Sequence, residues 1–87
     1  MSDDSLIEFP CDFPIKIMGL RTEGFTQTVL EIVLAHAPDF DAEAMTVQQS
    51  SKGTYLSVTC TIHAQSREQL DTLYQALTSH PAVKLAL

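Results

Sequence analysis

The chain has no tryptophan, three glycines and five basic residues in 87, and each shortage removes a class of function. So few glycines leave no GxGxxG or P-loop run to cradle a phosphate, and neither a GxSxG elbow nor a paired-carboxylate arrangement is present. The cations Lys16, Arg21, Lys52, Arg67 and Lys84 are scattered along the chain, against eleven acids that bring the formal net charge to −6. Affinity for nucleic acid comes from clustered cations that neutralise phosphates, so DNA and RNA are disfavoured as partners, and so are anionic membranes. Cys11 and Cys60 stand far apart with no CxxC or histidine spacing, which excludes a disulfide framework and an encoded metal site and leaves two reduced thiols. No apolar run reaches the 18 residues or so of a membrane-spanning helix. The opening Met1-Ser2-Asp3-Asp4-Ser5 is acidic where a signal peptide would be basic, so a cytoplasmic location is expected.

What is present suits one small packed domain. Apolar residues make up 45% of the chain and charged residues 18%, far from the composition of a disordered segment. Residues 1–12, with Pro10 and an acidic start, read as an irregular arm tacked down by Leu6, Ile7 and Phe9; residues 13–87 form the domain. Phe13, Ile15 and Ile17 alternate with Lys16 and Met18 at the strand period, and Gly19 closes that strand. Thr22 is placed to cap a helix whose inner stripe is Phe25, Val29, Ile32, Val33 and His36, and Pro38 stops it. Asp39 to Glu43 form an acidic connector.

A short second strand, Met45 to Gln49, leads into the hairpin Ser50-Ser51-Lys52-Gly53, where Gly53 supplies a positive φ. From Tyr55 to Ala64 the apolar set Leu56, Val58, Cys60, Ile62 and Ala64 alternates with Tyr55, Ser57, Thr59, Thr61 and His63, giving one apolar and one hydroxyl-rich face. Ser66 and Gln69 make a capping box for a second helix with the stripe Leu70, Leu73, Tyr74 and Leu77, broken from Thr78 to Pro81. Val83, Leu85 and Leu87 then alternate inward in a last strand.

The order β-α-β-β-α-β predicts an α+β, ferredoxin-like split βαβ fold: a four-stranded antiparallel sheet of order 4-1-3-2 with both helices on one face. The opposite face is left open, bearing Lys16, Met18, Tyr55, Ser57, Thr59, Thr61, His63 and Lys84. RNA-recognition modules share this plan, and Lys52-Gly53 begins their strand-three pattern. Thr54, Leu56 and Thr59 then stand where their aromatics would be.

His36, His63 and His80 fall on three elements with no ligand-like interval between them. Cys60, in phase with Val58 and Ile62, reads as an inert buried thiol with no base to activate it. No cofactor is implied. The expected ligand- or partner-binding set is Lys16, Gly19, Arg21, Lys52, Gly53, Tyr55, Ser57 and Thr59. Gly19 enters it because a strand-to-helix junction can present backbone N–H groups to a carboxylate or phosphate.

Several motifs together resemble a family. These are Glu8-Phe9-Pro10 with Phe13, Lys16 with Met18-Gly19, His36-Ala37-Pro38, Ser50-Ser51-Lys52-Gly53 with Tyr55 and Ser57-Val58-Thr59, Leu73-Tyr74 with Leu77, and Val83 with Leu87. The chain resembles the small YbeD-like proteins of proteobacteria over nearly its whole length, and the hairpin is the most specific part. That resemblance implies a fold similar to ACT regulatory domains and, from the lipoate-attachment genes beside which family members often lie, a regulatory role in lipoate metabolism.

Two functional expectations stand. One is a non-catalytic regulatory domain that binds a protein partner. The other is an ACT-like sensor of an amino acid or acyl compound, working as a homodimer with its ligand near Gly19, followed by Arg21 and Thr22. Neither is an enzyme.

Overall fold

Ten residues of strict alternation build the longest strand pairing in the molecule. In the computed structural model, which describes residues 8–87, Tyr55–Ala64 forms β3, with Leu56, Val58, Cys60, Ile62 and Ala64 buried. It pairs antiparallel along its whole length with β1, Cys11–Leu20. Between these strands lie α1 (Phe25–His36) and β2 (Thr46–Gln49), and after them α2 (Arg67–Ser79) and β4 (Val83–Ala86). The sheet order is β2-β3-β1-β4, the expected 4-1-3-2 read from the other edge. Both helices lie on the apolar side, where Phe25, Val29 and Val33 of α1 and Leu70, Leu73 and Leu77 of α2 join Ile15, Ile17 and the inner residues of β3 in one core. Burying each such side chain contributes about 1.5–3 kcal/mol.

The boundaries depart from expectation where tertiary contacts override local signals. β1 begins at Cys11, not Phe13, because β3 offers partners as far as Ala64 opposite it. Pro14 is accommodated in this central strand for a geometric reason. Lys16 directs both its N–H and its C=O to Leu87 on the β4 side. Two residues earlier Pro14 points the same way, beyond the end of β4, where no ladder donor is needed. Gly19 does not end the strand. It is paired with Leu56 on one side and Val83 on the other, and Leu20 continues β1.

Nor does Thr22 cap α1 with its side chain. Gly24, in the left-handed region at φ 88, takes that position, and Phe25 N–H bonds back to the Thr22 carbonyl. Phe40 is buried within the acidic connector, and Asp41 Oδ1 accepts from Glu43 N–H to open a short 3-10 turn, Ala42–Ala44, so β2 starts at Thr46. Helix α2 runs on to Ser79, since Thr78 donates its hydroxyl to the Tyr74 carbonyl and stays in the helix.

The first half of the capping box is present, with Gln69 N–H donating to Ser66 Oγ at 3.1 Å, while the reciprocal bond goes one residue further back. Gln69 does more than cap. Its Oε1 accepts from Gln65 N–H and its Nε2 donates to the His36 carbonyl at 2.9 Å, tying the start of α2 to the end of α1. Of the residues expected to tack the arm, Phe9 packs half-buried against the core, while Leu6 and Ile7 lie outside the described residues.

Candidate functional site: the open sheet face

Strand alternation that buries Ile15 and Ile17 must turn Lys16, Met18 and Leu20 the other way. Register then sets their neighbours. Leu20 faces Tyr55, Met18 faces Ser57, Lys16 faces Thr59, and at the far end Asp12 faces His63. β2 adds Gln48 beside Ser57 and Thr46 beside Thr59.

On the other flank β4 departs from simple alternation. Ile17 pairs with Ala86 and Met18 with Leu85, but Gly19 pairs with Val83, which leaves Lys84 as the extra residue of a bulge. The bulge reverses the phase. Val83 is buried against the helices, whereas Leu85 and Leu87, expected inside, emerge on the open face, and Lys84 is displaced from its expected place there.

The result is an apolar strip. Leu20, Tyr55, Leu85 and Leu87 are four of the five large hydrophobic residues that stand exposed among the described residues, and all four lie on this face around half-buried Met18. Only Val47, on β2, is exposed elsewhere.

Beside the strip is a recess of about 170 Å³, lined chiefly by Lys16, Met18, Gln48, Ser50, Tyr55 and Ser57. It exists because Ser57 is small: longer side chains stand on its own strand, at Tyr55, and on the strands to either side, at Met18 and Gln48. The Ser57 hydroxyl is buried in the sheet without a hydrogen-bond partner, and the Lys16 ammonium has none among the described residues.

The remaining expected site residues divide by role. Arg21 and Gly53 meet in the hairpin: Arg21 Nε donates to the Gly53 carbonyl at 2.6 Å, and Arg21 N–H to the Thr54 carbonyl at 2.9 Å. Gly53 has φ 73, as the turn requires. This is a clamp that holds the hairpin against the end of β1. Lys52 is exposed at its tip, and Thr59 lies beside Lys16 on the open face.

Gly19 is not at a helix start. It is buried, and a Cβ there would overlap the Ala82 carbonyl oxygen and the Phe25 ring, so the residue is glycine for packing. Cys60 is fully buried, and burial pushes its thiol up to about 11. At neutral pH it is protonated and a poor nucleophile. His63 Nδ1 lies 3.3 Å from Asp12 Oδ1, an exposed pair at the far end of the face. Among the described residues no group of three or more His, Cys, Asp or Glu is placed to hold a metal ion. Among the described residues no helix is long and apolar enough to cross a membrane.

Comparison with known proteins bears on this arrangement. The family model described as "Protein of unknown function (DUF493)" matches residues 4–87. The UPF0250 protein NE1487 of Nitrosomonas europaea is 61% identical over 87 residues, covering all of both chains. The chain belongs to the DUF493/UPF0250 family. These are the YbeD-like proteins that the hairpin and strand motifs resembled. Another UPF0250 protein, from Neisseria gonorrhoeae, is 52% identical over 83 residues, which is 95% of this chain and 91% of that one.

Among solved structures, the UPF0250 chain is similar to protein HP0495 from H. pylori, with a TM-score of 0.75 at 15% identity, covering 100% of this chain and 94% of that one. It is also similar to the ACT domain of GTP pyrophosphokinase from Chlorobium tepidum, with a TM-score of 0.67 at 18% identity, covering 87% and 84%. At such identities the likeness establishes an ACT-like, ferredoxin-like fold and nothing about ligands.

Gln48 and Ser50 of the recess, and Leu20, Leu85 and Leu87 of the strip, are absent from the residue set expected from sequence. Leu20 was legible in principle, since it continues the alternation of Lys16 and Met18. The two β4 leucines depend on the bulge, which no local pattern announces.

Proposed function

We propose that this UPF0250 chain is a non-catalytic regulatory module of the cytoplasm that binds a protein partner through the open face of its sheet. The observation that carries this reading is the gathering of Leu20, Tyr55, Leu85 and Leu87 on one face. Exposed apolar side chains scattered singly need no explanation, whereas a contiguous strip rimmed by polar residues marks a surface that is covered in use.

Charge supports the same surface and describes the partner. Glu31, Glu68 and Asp71 lie on the helices, with Arg67 beside Asp71, and Asp39, Asp41 and Glu43 on the connector, whereas on the four strands Asp12 is the one acid, at the far end beside His63. A partner with apolar and acidic groups complements Lys16 and the strip, and the acidic helical side repels it. The resemblance that implies a link to lipoate metabolism directs the search for that partner to the proteins of lipoate attachment.

A ligand sensor working at Gly19 draws less support, because the space beside Gly19 is filled by Phe25 and Ala82. The test is capture of partners from native lysate by the wild type and by two charge variants. Leu85→Asp on the open face is expected to lose the specific partner, and Thr72→Asp on the solvent side of α2 to keep it. Equal capture by both variants would sink the proposal.

A further inference from the structure

The recess over Ser57 differs in kind from the strip beside it. Its polar lining carries one cation and several donors. Lys16 supplies an ammonium, Gln48 an amide, and Ser57 a hydroxyl that has no partner. No carboxylate lines it among the described residues. A buried hydroxyl in the middle of a sheet is a costly feature unless something meets it, since buried polar groups in folded proteins are nearly always hydrogen-bonded. The exposed Lys16 ammonium beside it has no protein partner among the described residues and is free to receive an anion. The walls, by contrast, include the apolar parts of Met18 and Tyr55. At about 170 Å³ the space equals that of roughly five or six waters in the liquid.

We propose that this recess binds a carboxylate carried on a short apolar stem, with the carboxylate on Lys16 and, once the side chains covering it shift aside, on the Ser57 hydroxyl, and the stem between Met18 and Tyr55. Chemistry selects this class. One cation with two neutral donors matches a single negative charge, while a phosphate dianion is ordinarily held by an arginine fork or by several backbone N–H groups, neither of which lines the space. A neutral molecule would leave the ammonium unmatched. The carboxylate can arrive on a free short-chain acid or on a glutamate side chain of a partner protein; in the second case the inference rests on the open face being the partner surface.

The experiment is a titration of the isotope-labelled full chain followed by amide chemical shifts, with three probes: butyrate, its neutral isostere butyramide, and the capped peptide acetyl-Leu-Glu-Leu-amide. Saturable shifts centred on Lys16, Gln48 and Ser57 are expected with butyrate or the peptide and not with butyramide. Lys16→Gln is expected to weaken that binding about tenfold or more, and Ser57→Ala about threefold to tenfold.

Saturation by butyrate at least as tight as by the peptide assigns the site to free acids, and tenfold tighter binding of the peptide assigns it to a partner's glutamate; either supports the recess. If no probe saturates, or if the affinity is the same in Lys16→Gln, solvent fills the space and the inference is overturned. Leu85→Asp separates this from the partner reading. Leu85 does not line the recess, so butyrate binding should survive in a variant that no longer captures a protein.

Discussion

Replacing Gly19 by alanine would drive a methyl group into the Ala82 carbonyl oxygen and the ring of Phe25, a fully buried anchor of the core. Overpacking of this sort costs about 1–3 kcal/mol, so Gly19→Ala is expected to lower unfolding stability by that amount in a urea melt while open-face binding persists. A neutral melt would mean that the glycine is kept for some other purpose. The same position shows what single-residue reading can and cannot reach. A glycine after an alternating run looks like a strand end, and only the chain folding back from β4 reveals that a backbone oxygen lies against it. Cys60 was easier, because its phase with Val58 and Ile62 already placed it inside, where burial raises its thiol to about 11. Ser57 was legible as an outward hydroxyl on the sheet, but its lack of a partner depends on the three longer neighbours, Tyr55, Met18 and Gln48, that register brings around it.

At the scale of elements, α2 offers a sharp test because a single residue serves three bonds. A capping box accepts glutamate or glutamine at its third position. Here Nε2 of Gln69 donates to the His36 carbonyl, which a carboxylate cannot do. Gln69→Glu is therefore expected to destabilise by about 1–3 kcal/mol, as a carbonyl is left facing a carboxylate, against about 1 kcal/mol for loss of the cap in Ser66→Ala. Thermal melts of the two variants decide it, and a more stable Gln69→Glu would show that only the cap matters. Both helices and all four strands could be read from period and breakers, since β3 and α2 carry nearly unbroken patterns. The β4 bulge could not. Val83, Leu85 and Leu87 alternate perfectly in sequence, yet the step between Met18 and Gly19 turns the last two to the opposite side. That reversal creates the apolar strip on which the functional reading stands.

Over the whole molecule, two surfaces of opposite character emerge from one topology. Both helices must cover the same face of the sheet, so their acidic outer sides make one side of the protein negative, and the other side keeps Lys16, the strip and the recess. A net charge of −6 read from composition conceals this segregation.

The most direct measurement places a photocrosslinking residue at Met18, Tyr55 or Leu85 on the open face and, in separate preparations, at Thr72 or Gln75 on α2, and irradiates intact cells. A discrete adduct of one mass from the open-face positions, absent from the helix positions and lost on adding Lys16→Glu, is the expected result. Adducts that form equally from both faces, or only from α2, would contradict the assignment of the open sheet face as the working surface.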